Sequence, residues 1–181
     1  MVGSALLPTS IYKGKLYFLF GKERNIDDTP GWSDFGGGID KGETPLKTAI
    51  RESQEELTGF LGGDKSIKQL MKPGTYKINH KDNYHIFMCR MEYDEKLPYY
   101  YNNNSRFLQK RLDPKIIRDS KIFEKAEIRW VCVDDLKRMR PEFRSFYQEI
   151  VDILIEKKED IFAFTKKRSN KTLKNRFTQS R

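Results

Sequence analysis

The sequence predicts an α/β fold with a mixed β-sheet held between helices, and three observations carry that expectation. Apolar runs with strand-like alternation stand on both sides of one well-marked helix. A second stretch with helical spacing follows the last of them. A chain of 181 residues buries one substantial core and rarely two, so both groups of strands belong to one domain. Strands that flank one helix and precede another need cover on both sheet faces, which gives α/β/α layering.

The elements follow in order. Residues 2–10 and 15–20 are apolar, and Tyr12-Lys13-Gly14 between them is a turn signal, so a hairpin is expected. Residues 21–34 are polar and read as a loop that feeds the run Gly36-Gly37-Gly38. Residues 44–57 form the clearest helix: Thr44 caps it, Pro45 suits its first position and Gly59 follows its end. Residues 74–79 and 84–91 make a second strand pair. Residues 97–118 read as a loop followed by a short helix. Residues 127–133 form a strand around Trp130, and 141–164 have helical spacing through Phe143, Tyr147, Ile150 and Leu154.

Hydrophobic residues make up 37% and aromatics 13%, which excludes wholesale disorder despite 34% charged residues. No apolar run is long enough to span a bilayer and the start lacks a secretory signal, so an intracellular, cytoplasmic protein with no membrane contact is expected. Cys89 and Cys132 lie in apolar runs without metal-ligand spacing and read as buried free thiols. The net charge is +9, but seven of the cations lie within 166–181, a stretch without acids. The expected organisation is therefore a domain over 1–165 and a flexible basic tail over 166–181, which binds a polyanion or stays solvated.

The chemistry concentrates in one segment. Gly37 is followed after five residues by Glu43, and after seven more by Arg51-Glu52-Ser53-Gln54-Glu55-Glu56. On a helix Glu52, Glu55 and Glu56 fall at i, i+3 and i+4, crowding three anions on one side, while Leu46, Ala49, Ile50 and Leu57 are spaced to pack on a sheet. Hard divalent cations take oxygen ligands, and Mg²⁺ keeps part of its shell for water and substrate phosphates. A carboxylate cluster beside a glycine loop suits such an ion.

Gly37, Glu43, Arg51, Glu52, Glu55 and Glu56 stand at the spacing of the Nudix box, and the chain resembles the Nudix hydrolase family. Leu19 to Glu23 and the segment around Trp130 are similar to other parts of the family layout. Two positions depart from it: Ser53 replaces an apolar residue, and two residues instead of one precede Gly59.

The resemblance implies a Nudix α/β/α sandwich that hydrolyses a phosphoanhydride with Mg²⁺, or Mn²⁺ in its place. Glu52, Glu55 and Glu56, with a backbone carbonyl of Gly36 or Gly37, would hold the metal. Glu43 and Arg51 would pair to position loop and helix. Glu56, Glu124 and Glu127 are the candidate general bases, and Lys22, Arg24 and Trp32 the candidate substrate contacts. Three substrates fit: capped RNA, with the tail on its phosphates and the aromatics of Trp32, Tyr76, Tyr84 and Tyr99 to Tyr101 on its bases; a diphosphoinositol polyphosphate; or a nucleoside polyphosphate. Cap removal ranks first. A module of this fold that binds a nucleotide or partner without catalysis is the non-enzyme alternative.

Overall fold

The computed structural model describes residues 2–24, 29–120 and 122–167. Within them seven strands form one mixed sheet. The first, β1 (Gly3–Tyr12), and β2 (Lys15–Glu23) make the expected hairpin, pairing antiparallel from Thr9↔Phe18 to Tyr12↔Lys15. Then come β3 (Trp32–Ser33), β4 (Phe35–Gly38), α1 (Pro45–Glu56), α2 (Asp64–Met71), β5 (Tyr76–His80) and β6 (Tyr84–Arg90). The chain continues through α3 (Lys96–Arg111), α4 (Pro114–Ser120), β7 (Lys125–Cys132), α5 (Leu136–Met139), α6 (Gln148–Glu156) and α7 (Lys158–Lys166).

The sheet splits at the hairpin. The outer half of β1 pairs with β2, and its first half turns to β4 from Gly3↔Gly38 to Leu6↔Phe35. On its other edge β1 runs parallel to β6, which pairs with β5, while the free edge of β2 receives β7. The glycine run thereby lies as a strand at the fork of the sheet, in front of α1.

Strand alternation distributes the core to both faces, as the period of two requires. Leu7, Phe18, Phe20, Ile86 and Met88 point to α5, α6 and α7, meeting Leu136, Tyr147, Ile150 and Leu154. Their neighbours point the other way: Leu6, Phe87 and Cys89 meet α1 and α2, and Leu19, Ile128 and Trp130 meet α3. The sheet is therefore sandwiched. Both cysteines are buried and free.

Four expectations change. β2 continues to Glu23, and β3 adds a short strand inside 21–34. α2 is an addition: Ile67, Leu70 and Met71 stand at helical spacing, but eight residues are too short a window to show a period in the sequence. The Tyr and Asn runs of 97–118 are helix, because Leu97, Tyr101 and Ser105, four residues apart, bury one stripe against β7. Asn102 completes the fit: its amide donates to the Ile128 carbonyl at 3.0 Å and its oxygen accepts from the Ile128 N–H at 2.8 Å, satisfying an edge of β7. Finally, 141–164 is broken. Phe143 is extended, bridging Trp32, and the Arg144 N–H donates to the Trp32 carbonyl at 3.1 Å. Gly31, at φ +124°, permits that approach, since a Cβ there would lie 2.7 Å from the Arg144 nitrogen.

At the C-terminal end the Arg90 guanidinium holds α7 by donating to the Phe164 carbonyl at 2.6 Å. Of the basic stretch, Lys166 and Lys167 are described; the expectation of a flexible tail otherwise falls on 168–181, outside the described residues.

Candidate active site

α1 begins as its sequence directs. The Thr44 hydroxyl accepts from the Lys47 N–H, and Pro45 opens the first turn. Ala49, Ile50, Thr48, Ser53 and Glu56 are buried along its inner face, whereas Leu46, expected to pack on the sheet, is 43% exposed. Ser53 fits an apolar environment because its hydroxyl donates to the Ile50 carbonyl at 2.9 Å. The extra residue at the helix end makes a contact of its own. Thr58, at φ +51°, accepts the Phe123 N–H at 3.0 Å and ties the helix to the segment entering β7.

Arg51 is the hub of the exposed side. Its fork contacts Glu43 at 3.1 to 3.3 Å, the Gly38 carbonyl at 3.3 Å, Glu52 at 2.7 Å and Glu55 at 3.5 Å, with Asp40 at 3.5 Å. Hydrogen bonds from Arg51 hold the Glu43 carboxyl below its ordinary range. One guanidinium thus faces four carboxylates, and the surplus is negative. Burial raises the Glu52 carboxyl, Arg51 pulls it back, and Glu55 and Glu124 push it up again, so Glu124 lies within electrostatic reach of the cluster.

Glu56 is turned inward. Its Oε2 accepts the Gly36 N–H at 2.9 Å and its Oε1 lies 3.0 Å from the Lys125 ammonium. Lys125 is fully buried and also pairs with Glu23, which is held in turn by Arg144 at 2.8 Å. Burial raises the Glu56 carboxyl against the pull of Lys125. Burial works against the Lys125 charge as well, but Glu56 and Glu23 outweigh it and hold its pKa above the ordinary value. Sequence reading missed Lys125, Glu23 and Arg144. Glu23 and Lys125 are opposite each other between β2 and β7, a register that no local pattern shows.

Among the described residues no three acidic or metal-binding side chains already surround one point. Glu52 and Glu55 share Arg51, and Glu56 faces Lys125. The chemistry of the set nevertheless fits a hard cation: it offers oxygens in negative surplus, and one Arg51 nitrogen already draws Glu52 and Glu55 together. Gly37 is built into the same cradle, because a Cβ there would lie 2.5 Å from the Glu52 carboxylate, and one on Gly36 would collide with Ala5. Gly37→Ala is therefore expected to displace Glu52 and weaken activation by Mg²⁺ about 10- to 100-fold with the fold retained. A Mg²⁺ titration of activity, with circular dichroism as control, checks this; an unchanged activation curve would exclude the cradle.

The remaining contacts divide. Lys22, Arg24 and Glu127 line a cleft of about 370 Å³ beside Glu23, together with Asn102, Arg106 and Gln109 of α3. The Arg24 Nε is buried without a hydrogen-bond partner. Glu127 is paired with Arg129 at 2.8 Å. Trp32 offers no free ring: it is 1% exposed, with Lys22 and Arg129 over its face at 5.8 and 4.8 Å. Tyr84 likewise is turned inward, donating to Asp34 at 2.7 Å.

The NUDIX domain profile matches residues 11–152, and the box residues within that span are those just described. The chain belongs to the Nudix family. As a Nudix hydrolase it is a pyrophosphohydrolase that acts on acid anhydrides. Solved structures share the fold. The C. elegans Ap4A hydrolase in a binary complex is 17% identical with a TM-score of 0.52, over 91% of this chain and 99% of that one. Shewanella oneidensis NrtR complexed with a 27mer DNA is 12% identical with a TM-score of 0.52, over 91% and 67%. The Nudix hydrolase RenU of M. smegmatis is 16% identical with a TM-score of 0.50, over 89% and 88%. No curated protein matches the chain. No helix among the described residues is long and apolar enough to cross a membrane.

Behind the Nudix glycines lies Asp34, whose Oδ2 is buried without a partner. Burial raises its carboxyl from 3.8 to about 6, opposed by the Tyr84 hydrogen bond. A folded-state pKa above the unfolded one means that the folded chain holds a proton the unfolded chain has released. Asp34 therefore removes stability as pH rises from about 4 to about 6, and the loss is complete above that. Asp34→Asn should abolish this part of the pH dependence, seen as a flatter course of Tm between those limits; an unaltered course would contradict the assignment.

Proposed function

We propose that this Nudix enzyme hydrolyses the phosphoanhydride of a nucleoside-diphosphate-linked substrate, with the capped 5′ end of RNA as the specific case. The observation that carries it is the cleft beside Glu23, where Lys22, Arg24 and Arg106 face Glu127. Three cations against the two carboxylates Glu23 and Glu127 suit a short phosphate chain and fall short of what a densely phosphorylated inositol demands. The same cleft opens onto α3, whose outer side offers exposed aromatics to a longer substrate. A nucleoside polyphosphate, the class named for the C. elegans Ap4A hydrolase, meets the cleft equally well and is the second reading.

Glu52, Glu55 and Glu56 would hold Mg²⁺, or Mn²⁺ on the same oxygens, with a carbonyl of Gly36 or Gly37. The ion, when bound, polarises phosphoryl oxygens and lowers the pKa of its water. Arg51 then keeps Glu43, the glycine strand and α1 in register, and Lys22, Arg24 and Arg106 bind phosphate oxygens. Of the three candidate bases, Glu124 is the one whose charge is felt at the box carboxylate Glu52, and it is the proton acceptor we favour.

Product analysis tests the reading. The protein is incubated with Mg²⁺ and, separately, cap-labelled RNA, a diphosphoinositol polyphosphate and a nucleoside polyphosphate panel, alongside Glu55→Gln. Release of methylated guanosine diphosphate from RNA, lost in the variant, is expected. Intact RNA with a cleaved small nucleotide would leave the Nudix chemistry standing and remove the cap assignment.

A further inference from the structure

The helix α3 stands between β6 and β7 and has two unlike sides. Its inner stripe of Leu97, Tyr101 and Ser105 is buried, and the Tyr101 hydroxyl donates to the Glu56 carbonyl at 2.8 Å and to that of Lys125 at 3.0 Å. The helix is thereby fixed directly to the end of the box helix. Its outer side carries Tyr99, Tyr100 and Phe107, which are 64%, 54% and 59% exposed. At 100° per residue these rings fall on one arc with Lys110, Arg111 and Arg106. The Arg111 guanidinium lies 5.9 Å above the Phe107 ring. The helix contains four cations and no acid.

A merely solvated helix face would carry no such set of exposed rings, and a face that docks an apolar protein surface would not interleave them with cations. Aromatic faces stack bases, and the cations between them meet the phosphates. The arc also adjoins the cleft of Lys22 and Arg24, because Asn102, Arg106 and Gln109 line that cleft from the same helix. Tyr99 and Phe107 lie eight residues apart, about 12 Å along the axis, a length that covers a few stacked nucleotides.

We infer that the outer face of α3 binds single-stranded RNA and guides the strand into the cleft, an inference that rests on the cap-linked reading only for the direction of the strand. Duplex RNA is excluded from this surface because its bases present no free faces to the rings.

The full chain is compared with a Tyr99→Ala, Tyr100→Ala, Phe107→Ala variant, whose changes are exposed and whose folding is confirmed by its thermal midpoint. Fluorescence anisotropy with a short unstructured oligoribonucleotide and with an RNA duplex gives affinities. The expected result is binding of the single strand in preference to the duplex, weakened about tenfold or more for each stacked ring removed. Equal binding by chain and variant, equal affinity for duplex, or no binding at all overturns the inference. Kinetics separates it from the catalytic reading: the variant should raise KM for capped RNA and leave hydrolysis of a cap dinucleotide unchanged. Single-strand binding through α3 without any cap cleavage would remove the substrate assignment and leave the RNA surface in place.

Discussion

Glu52→Gln is expected to lower kcat for every accepted substrate by on the order of 100- to 1,000-fold while leaving the fold intact, the size of effect that follows removal of one essential electrostatic group from a site. The substitution keeps shape and volume and removes only charge. Glu52 sits against the Gly37 backbone with one oxygen on Arg51, and glutamine can keep that contact through its carbonyl. What it cannot keep is a full share of the negative surplus that four carboxylates hold around one guanidinium. The loss should therefore appear as weaker Mg²⁺ dependence and lower kcat, with an unchanged unfolding midpoint. Turnover within a few-fold of the parent chain, at saturating Mg²⁺, would remove Glu52 from the metal set. Glu55→Gln should follow the same pattern, since its side chain is the most exposed of the three glutamates Glu52, Glu55 and Glu56 and its ion-pair contact is a 3.5 Å one with Arg51.

How far the sequence reaches depends on whether a feature is local. The box helix is legible because cap, first-turn proline, carboxylate spacing and terminal glycine all lie within sixteen residues, and the Glu43–Arg51 contact follows from the same short stretch. The hairpin and the β5–β6 pair are legible through alternation and turn chemistry. α3 is not, because Tyr99-Tyr100-Tyr101 and Asn102-Asn103-Asn104 have loop composition and only the tertiary fit of Asn102 to Ile128 explains the helix. Nor is the role of Trp32: a tryptophan beside a cationic stretch invites a stacking reading, and its burial depends on Phe143 and Arg144, more than a hundred residues away. The same holds for the path from Glu56 through Lys125 to Glu23, assembled from α1, β7 and β2. Charges that meet only across a sheet leave no spacing to recognise.

That buried path gives the largest expected effect on stability. Lys125 is surrounded by Glu56 and Glu23, with the Ser33 hydroxyl 3.2 Å from its ammonium and no exposure to solvent. Lys125→Met matches the length of the side chain and removes the cation, so two carboxylates are left in a buried space with Arg144 as support for Glu23 alone. Breaking a buried ion pair from one side costs about 3–5 kcal/mol, mainly because the remaining charge has lost its compensation. The sign of the pH dependence follows. Burial already raises the Glu56 carboxyl from 4.5 to about 8 against the pull of Lys125, and loss of the ammonium raises it further, so in the variant protonation of Glu56 restores the fit at lower pH and stability goes on being lost as pH rises past about 8. Urea unfolding should therefore show a modest deficit near pH 5 that grows as pH rises past about 8, and adding Glu56→Gln should recover part of it. A deficit that is small and constant with pH would mean that Lys125 contributes volume and little charge, and the electrostatic account of Glu56 would have to be given up with it.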